Sequence, residues 1–129
     1  MKLVADTHAL VWYFAGDERL SRRARQAFQQ ADAGRWTVLV PAIVLYETSL
    51  LESMGRLRFS YRELRQQLEL RAGLPIEPLT PEDVDESRAL LSIADPFDRL
   101  IAATALRVGV PLITCDANLT AAPALRAYW

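Results

Sequence analysis

The chain has 129 residues, 51% of them apolar, with 15 basic and 16 acidic side chains and a formal net charge of −1. That length suits one domain, residues 1–129, with a single core. The balance excludes a disordered chain and speaks against indiscriminate coating of nucleic acid. Cys115 stands alone, which excludes an intrachain disulfide and a cysteine zinc site. The longest apolar run, Val38 to Tyr46, is too short to cross a bilayer and contains Pro41, so no membrane association is expected. The N-terminus opens directly into Lys2-Leu3-Val4-Ala5 without the regions of a signal peptide, and the cytoplasm is the expected compartment.

Taken in order, strands and helices alternate. Lys2 to Ala5 reads as a short strand and Thr7 to Ala15 as a helix ended by Gly16-Asp17. Ser21 caps a helix running to about Ala33, and Trp36 to Val40 is β-rich with Pro41 at its end. A helix carrying Glu47 follows and stops near Met54-Gly55. Ser60-Tyr61-Arg62-Glu63 has the form of a capping box and starts a helix that Gly73 closes. Leu74 to Leu79, with two prolines, is an edge strand at best. Thr80-Pro81 opens a helix expected to reach Ile93, and Asp95-Pro96-Phe97-Asp98 turns into a helix from Arg99 to Val108. Val110 to Thr114 is a strand, Asp116 to Ala122 a loop or short helical turn, and Leu125 to Trp129 a final short strand. Strands separated by helices predict an α/β fold with a parallel sheet covered on both faces.

Glu47 is the anomaly. Its neighbours at helical spacing are Ile43, Val44, Leu50 and Leu51, so the acid falls on the face expected to be buried. Asp6, Asp98 and Asp116 also sit at element ends, where the carboxyl ends of parallel strands can bring them together. Singly, each has a plain explanation: Asp6 and Asp95 as helix caps, Asp98 as a first-turn charge, Asp116 as a turn residue. Glu47 has neither explanation, and only a salt bridge to a buried arginine would account for it structurally. Together the acids need a counter-charge, since two carboxylates ~4 Å apart repel by about 4 kcal/mol even at an effective dielectric of 20. Oxygen-only ligands suit Mg²⁺ or Mn²⁺, which can polarise a phosphoryl oxygen and make a water nucleophilic near neutral pH. His8 is the only histidine, and no nucleophile elbow or glycine-rich phosphate loop accompanies it. Lys2 is the only lysine, while arginines gather at 19–25 and 56–71. These suit phosphate contacts, although solvated helix faces in an arginine-rich chain explain most of them equally well.

The blocks Asp6-Thr7-His8-Ala9-Leu10-Val11-Trp12 and Asp95-Pro96-Phe97-Asp98-Arg99-Leu100-Ile101-Ala102-Ala103-Thr104-Ala105, with Glu47 between them, resemble PIN-domain proteins of the VapC toxin type. The likeness covers nearly the whole chain. It implies a three-layer α/β/α fold with a central parallel sheet and a Mg²⁺ or Mn²⁺ site. It also implies endoribonuclease activity on an RNA substrate, a cognate antitoxin as partner, and a homodimer. Asp6, Glu47 and Asp98 match the family's three central acids, and Asp116 matches the variable fourth. Thr7 resembles the hydroxyl residue that supports the first Asp. Asp95 is expected to fix the turn, and Arg99 and Asn118 stand beside the acids as candidate supporting residues. One departure concerns the basic residue that often follows the mid-chain Glu, because Thr48 to Met54 holds none before Arg56. His8 is expected to serve as a structural hydrogen-bonding group, and Trp12, Tyr13, Phe14 and Phe28 to pack in the core or an interface.

Two other readings compete. One is a binding module with a degenerate metal site, against which the four acids speak. The other is an aspartate-nucleophile phosphatase, which needs a second Asp two residues after the first, where this chain has His8.

Overall fold

The computed structural model describes residues 1–129. Five strands form one wholly parallel sheet in the order β3-β2-β1-β4-β5. They are β1 (Lys2–Ala5), β2 (Thr37–Pro41), β3 (Ile76–Glu77), β4 (Leu112–Ile113) and β5 (Ala127–Tyr128). Seven helices connect them: α1 (Thr7–Ala15), α2 (Arg22–Asp32), α3 (Ala42–Ser53), α4 (Tyr61–Glu69), α5 (Pro81–Ser87), α6 (Pro96–Val108) and α7 (Ala117–Thr120). The result is the three-layer α/β/α arrangement. Leu3, Val4 and Ala5 of β1 are buried, as are Val38, Leu39 and Val40 of β2. Such unbroken apolar runs, without alternation, mark strands covered on both faces.

A cluster of 29 buried apolar residues holds the layers together, with Leu10, Phe28, Leu64, Leu74, Ile101 and Leu112 among its largest enclosed members. Each contributes on the order of 2 kcal/mol by leaving water. β1 is central, pairing Val4 with Leu39 of β2 on one side and with Leu112 of β4 on the other. The chain therefore changes direction across the sheet at β1, and the crevice between the carboxyl ends of β1 and β4 is where such folds bind ligands.

Several boundaries differ from the sequence expectation, each for a physical reason. The capping box at Ser60 is present, but α4 stops at Glu69, before Gly73. A Cβ at Gly73 would lie 2.0 Å from the Ala31 carbonyl oxygen, so this glycine allows the chain to pass close against the end of α2. The Gly73 carbonyl then accepts the Val38 N–H at 2.9 Å, feeding the chain into the sheet. Helix α5 ends at Ser87 and not at Ile93. Single-turn bonds follow it, Leu90 N to Ser87 O and Ile93 N to Leu90 O, both 3.0 Å. They place Leu90 and Ile93 in the core and leave Leu91 in solvent. Helix α6 begins at Pro96, three residues before Arg99, because Asp95 caps it and Pro96 supplies the first-turn φ. β2 begins and ends one residue later than expected, and β4 and β5 are each reduced to a two-residue core.

Candidate metal centre

Three of the acids are N-caps, and the capping fixes them. Asp6 follows β1 directly and caps α1, its Oδ1 accepting the Ala9 N–H at 2.8 Å. Asp95 Oδ1 accepts from the amides of Phe97 (2.8 Å) and Asp98 (3.0 Å) at the head of α6. Asp116 Oδ1 accepts from Asn118 (2.9 Å) and Leu119 (3.2 Å) at the head of α7. Each thus commits one oxygen to a helix end, and a cap of this kind does not preclude ligation by the other oxygen. Asp98 lies in the first turn of α6, and Glu47 in the second turn of α3.

Carboxylate oxygens of Glu47, Asp95 and Asp98 lie within 4.8 Å of one another. Asp6 and Asp116 stand outside that tight set, facing a neighbouring depression of about 260 Å³ that His8, Trp12 and Cys115 also line. The charges nevertheless act on one another. Burial pushes the Asp98 carboxyl up to about 7, with Asp95, Asp116, Glu47 and Asp6 adding repulsion in that order. Burial likewise raises Asp6 to about 6, against the pull of the Thr114 hydroxyl and the Ala9 amide, and Asp116 adds to the rise. None of the five acids forms a salt bridge. The nearest arginine in sequence, Arg99, spends its Nε on the Ile93 carbonyl at 2.8 Å. Three clustered carboxylates, with Asp6 and Asp116 beside them and no salt-bridge partner, suit a hard divalent cation.

The burial expected of Glu47 is corrected. The enclosed face of α3 is Val44, Leu45 and Thr48, and Glu47 is half-buried at its edge. The enclosed acid is Asp6, only 6% exposed. Thr7, itself buried, donates its hydroxyl to Glu47 Oε1 and ties α1 to α3 at the site. Asn118 is exposed and touches Asp116 through its backbone amide. Sequence reasoning gave Asp95 a capping, turn-fixing and supporting role, and the structure shows that it both caps α6 and joins Glu47 and Asp98 in the tight carboxylate group. The signal that it does both is the spacing Asp95-to-Asp98, since a cap and the third helical residue face the same side of a helix start. His8 is exposed and makes no hydrogen bond, so the structural role expected of it is absent; its ring stands 5.5 Å from that of Trp12. Tyr13 stacks on Phe28 at 4.6 Å, the packing role expected of the aromatic run.

The PIN-domain family model matches residues 3–125. The chain belongs to the PIN-domain family. This PIN domain is 33% identical over 119 residues to Ribonuclease VapC22 of Mycobacterium tuberculosis, covering 91% of this chain and 88% of that protein. Among solved structures it is similar to VapBC2 from Rickettsia felis bound to a promoter DNA fragment, with a TM-score of 0.70 at 17% identity over the full length of both chains. A toxin–antitoxin complex from Klebsiella pneumoniae superposes with a TM-score of 0.66 at 21% identity, covering 95% of this chain and 94% of the other. At these identities the structural likenesses establish the fold.

Proposed function

We propose that this PIN domain, residues 1–129 acting as one unit, is a divalent-metal-dependent endoribonuclease and the toxin of a toxin–antitoxin pair. The observation that carries the reading is the group of acids without a basic partner at the carboxyl end of the sheet. Supporting it are the resemblance to a ribonuclease at 33% identity and the toxin–antitoxin complex among its structural neighbours. Glu47, Asp98, Asp6 and Asp116 hold Mg²⁺ or Mn²⁺ in this reading, with Asp95 as a fifth oxygen donor. The cation supplies electrostatic stabilisation of the scissile phosphate and of the charge that develops on it.

The chain's own residues do the rest. The caps at Asp6, Asp95 and Asp116 hold one oxygen of each carboxylate, so the other is presented without a rotamer search. Thr7 holds Glu47 by one oxygen. The raised affinities of Asp6 and Asp98 for protons mean that either can keep a proton near neutral pH until a cation displaces it. An antitoxin, a second copy of the chain and a cytoplasmic setting complete the reading. Exposed Tyr46, Met54, Leu70 and Leu91 provide apolar surface for such partners.

The test is cleavage of labelled tRNA and mRNA with Mg²⁺ or Mn²⁺ against EDTA. Cleavage that appears with metal and disappears with EDTA is expected. Undiminished cleavage in EDTA would overturn the metal requirement, and no cleavage of any RNA under either metal would overturn the reading.

A further inference from the structure

A second cleft opens on the far side of His8 and Trp12 from the acids. It encloses about 220 Å³ between α1, the turn after it and the end of α3, and its walls include Val11, Arg19, Arg56 and Arg58. His8 and Trp12 line both this cleft and the depression that holds Asp6 and Asp116. The two are therefore neighbours sharing a wall, acidic on one side of it and, Asp17 apart, basic on the other.

The three arginines are not equivalent. Arg19 is committed: its Nη2 meets Asp17 Oδ2 at 2.7 Å, its Nε meets Oδ1 at 3.1 Å, and its guanidinium lies 4.7 Å over the Trp12 ring. Arg56 and Arg58 are exposed, with no carboxylate within salt-bridge distance and no side-chain hydrogen bond. Two exposed guanidiniums, neither in a salt bridge although Arg58 lies near Asp17 and Glu18, together with the exposed His8 ring match a single-stranded polynucleotide, whose phosphates take the cations and whose unpaired bases take the ring face.

We propose that this cleft seats the RNA flanking the scissile phosphate, with Arg56 and Arg58 as positioning residues on its backbone and the exposed His8 ring as a stacking surface. The proposal rests on the ribonuclease reading and names where substrate leaves the acidic site. Neither arginine touches the reacting phosphate, so both act on substrate binding.

The experiment compares the parent with an Arg56→Gln/Arg58→Gln double variant. Cleavage kinetics are measured with Mn²⁺ on a single-stranded RNA of mixed sequence. Binding of the same RNA is followed by fluorescence anisotropy across a salt series, in an Asp98→Asn background that suppresses cleavage. The double variant is expected to keep the parent's melting temperature, to raise KM about ten-fold and to leave kcat within about three-fold. Its slope of log affinity against log salt should fall by about 1.4, the loss of two contacts to a single strand. An Arg56→Lys/Arg58→Lys variant should restore the slope. A folded Gln variant with the parent's KM and salt slope would overturn the proposal while leaving the ribonuclease reading intact. The same unchanged values with lost affinity for a poly-glutamate peptide would overturn it too, assigning the cleft to an acidic protein segment. A parent that neither binds nor cleaves RNA would overturn both readings together.

Discussion

Two acidic groups in this molecule differ in one respect. Around Arg107, Glu77 and Asp83 are satisfied: Nε meets Asp83 Oδ1 at 2.6 Å and Nη2 meets Glu77 Oε1 at 2.8 Å. Asp83 is fully buried and also closes the capping box of α5, so the acids there fasten α5, α6 and β3 together. At the head of α6, Asp98 is half-buried among Glu47, Asp95, Asp6 and Asp116, with no cation beside it. In the first group the arginine itself is driven further above its ordinary value by its two acids. In the second, it is the Asp98 and Asp6 carboxyls that are driven up. Burial is similar in kind at both places, and the counter-charge separates a structural acid cluster from one that requires a ligand.

The largest effect should come from Asp98→Asn. Removing one of the acids nearest the developing charge should lower kcat about a thousand-fold, equivalent to about 4 kcal/mol. The melting temperature of the metal-free protein should hold or rise, because repulsion is relieved. Arg107→Met should do the opposite, costing about 3 kcal/mol of stability by stranding Asp83 in the interior, with kcat retained in whatever remains folded. Urea titration and steady-state cleavage on both variants separate the two groups. If Asp98→Asn destabilised the protein as Arg107→Met does, the acids at the site would be structural and the contrast would collapse.

Acid titration sharpens the comparison further. The folded carboxyls of Asp6 and Asp98 lie at about 6 and about 7, against an ordinary 3.8. Between those values the folded chain binds more protons than the unfolded chain, so stability is fully present below about pH 4 and falls as pH rises to 7. For the enclosed Asp6 the loss is on the order of 2–3 kcal/mol. Melting temperature in EDTA should therefore decline across that window. Millimolar Mg²⁺ should offset the decline near pH 7, where the cation competes with fewer protons than at lower pH. A flat profile in EDTA would break the claim that burial, reinforced by neighbouring acids, raises these two carboxyls.

Much of this was legible in the sequence, and the reason is local. Asp6, Asp95 and Asp116 each begin a helix after a strand or turn, and the cap signals that located those helices also located the acids. The alternation of strands and helices gave the parallel sheet, and the Asp6-Thr7-His8 and Asp-Pro-Phe-Asp blocks gave the family. What misled was the inference from helical periodicity to burial. Periodicity places Glu47 among apolar neighbours but is silent on how deep that face lies, and Ile43, Leu50 and Leu51 turn out only half-buried. Asp6 was read as one of the three central acids, with a cap as its plain alternative; that it is also the enclosed acid follows from β1 being the central strand, a property of sheet order that no local window contains. Gly73 failed as a helix stop for the same reason, since its partner, Ala31, lies 42 residues away in sequence.

The smallest expected effect probes how the site is held. Thr7 is buried and gives its hydroxyl to Glu47, whose carboxylate lies with those of Asp95 and Asp98. Thr7→Val keeps the shape and removes the donor, so the core at that point is undisturbed while Glu47 loses its one fixed oxygen. Such a bond to a charged acceptor contributes about 1.5 kcal/mol, which corresponds to roughly ten-fold in kcat if it is spent on orientation. The metal-free protein should show little change in melting temperature, because the same bond also held a charge within a repelling group. Substitution by serine, which restores the hydroxyl without the methyl, should recover most of the rate. A valine variant with full kcat would mean that Glu47 is positioned by α3 alone, and that, unlike the acids around Arg107, it needs no hydrogen-bonding neighbour to hold it.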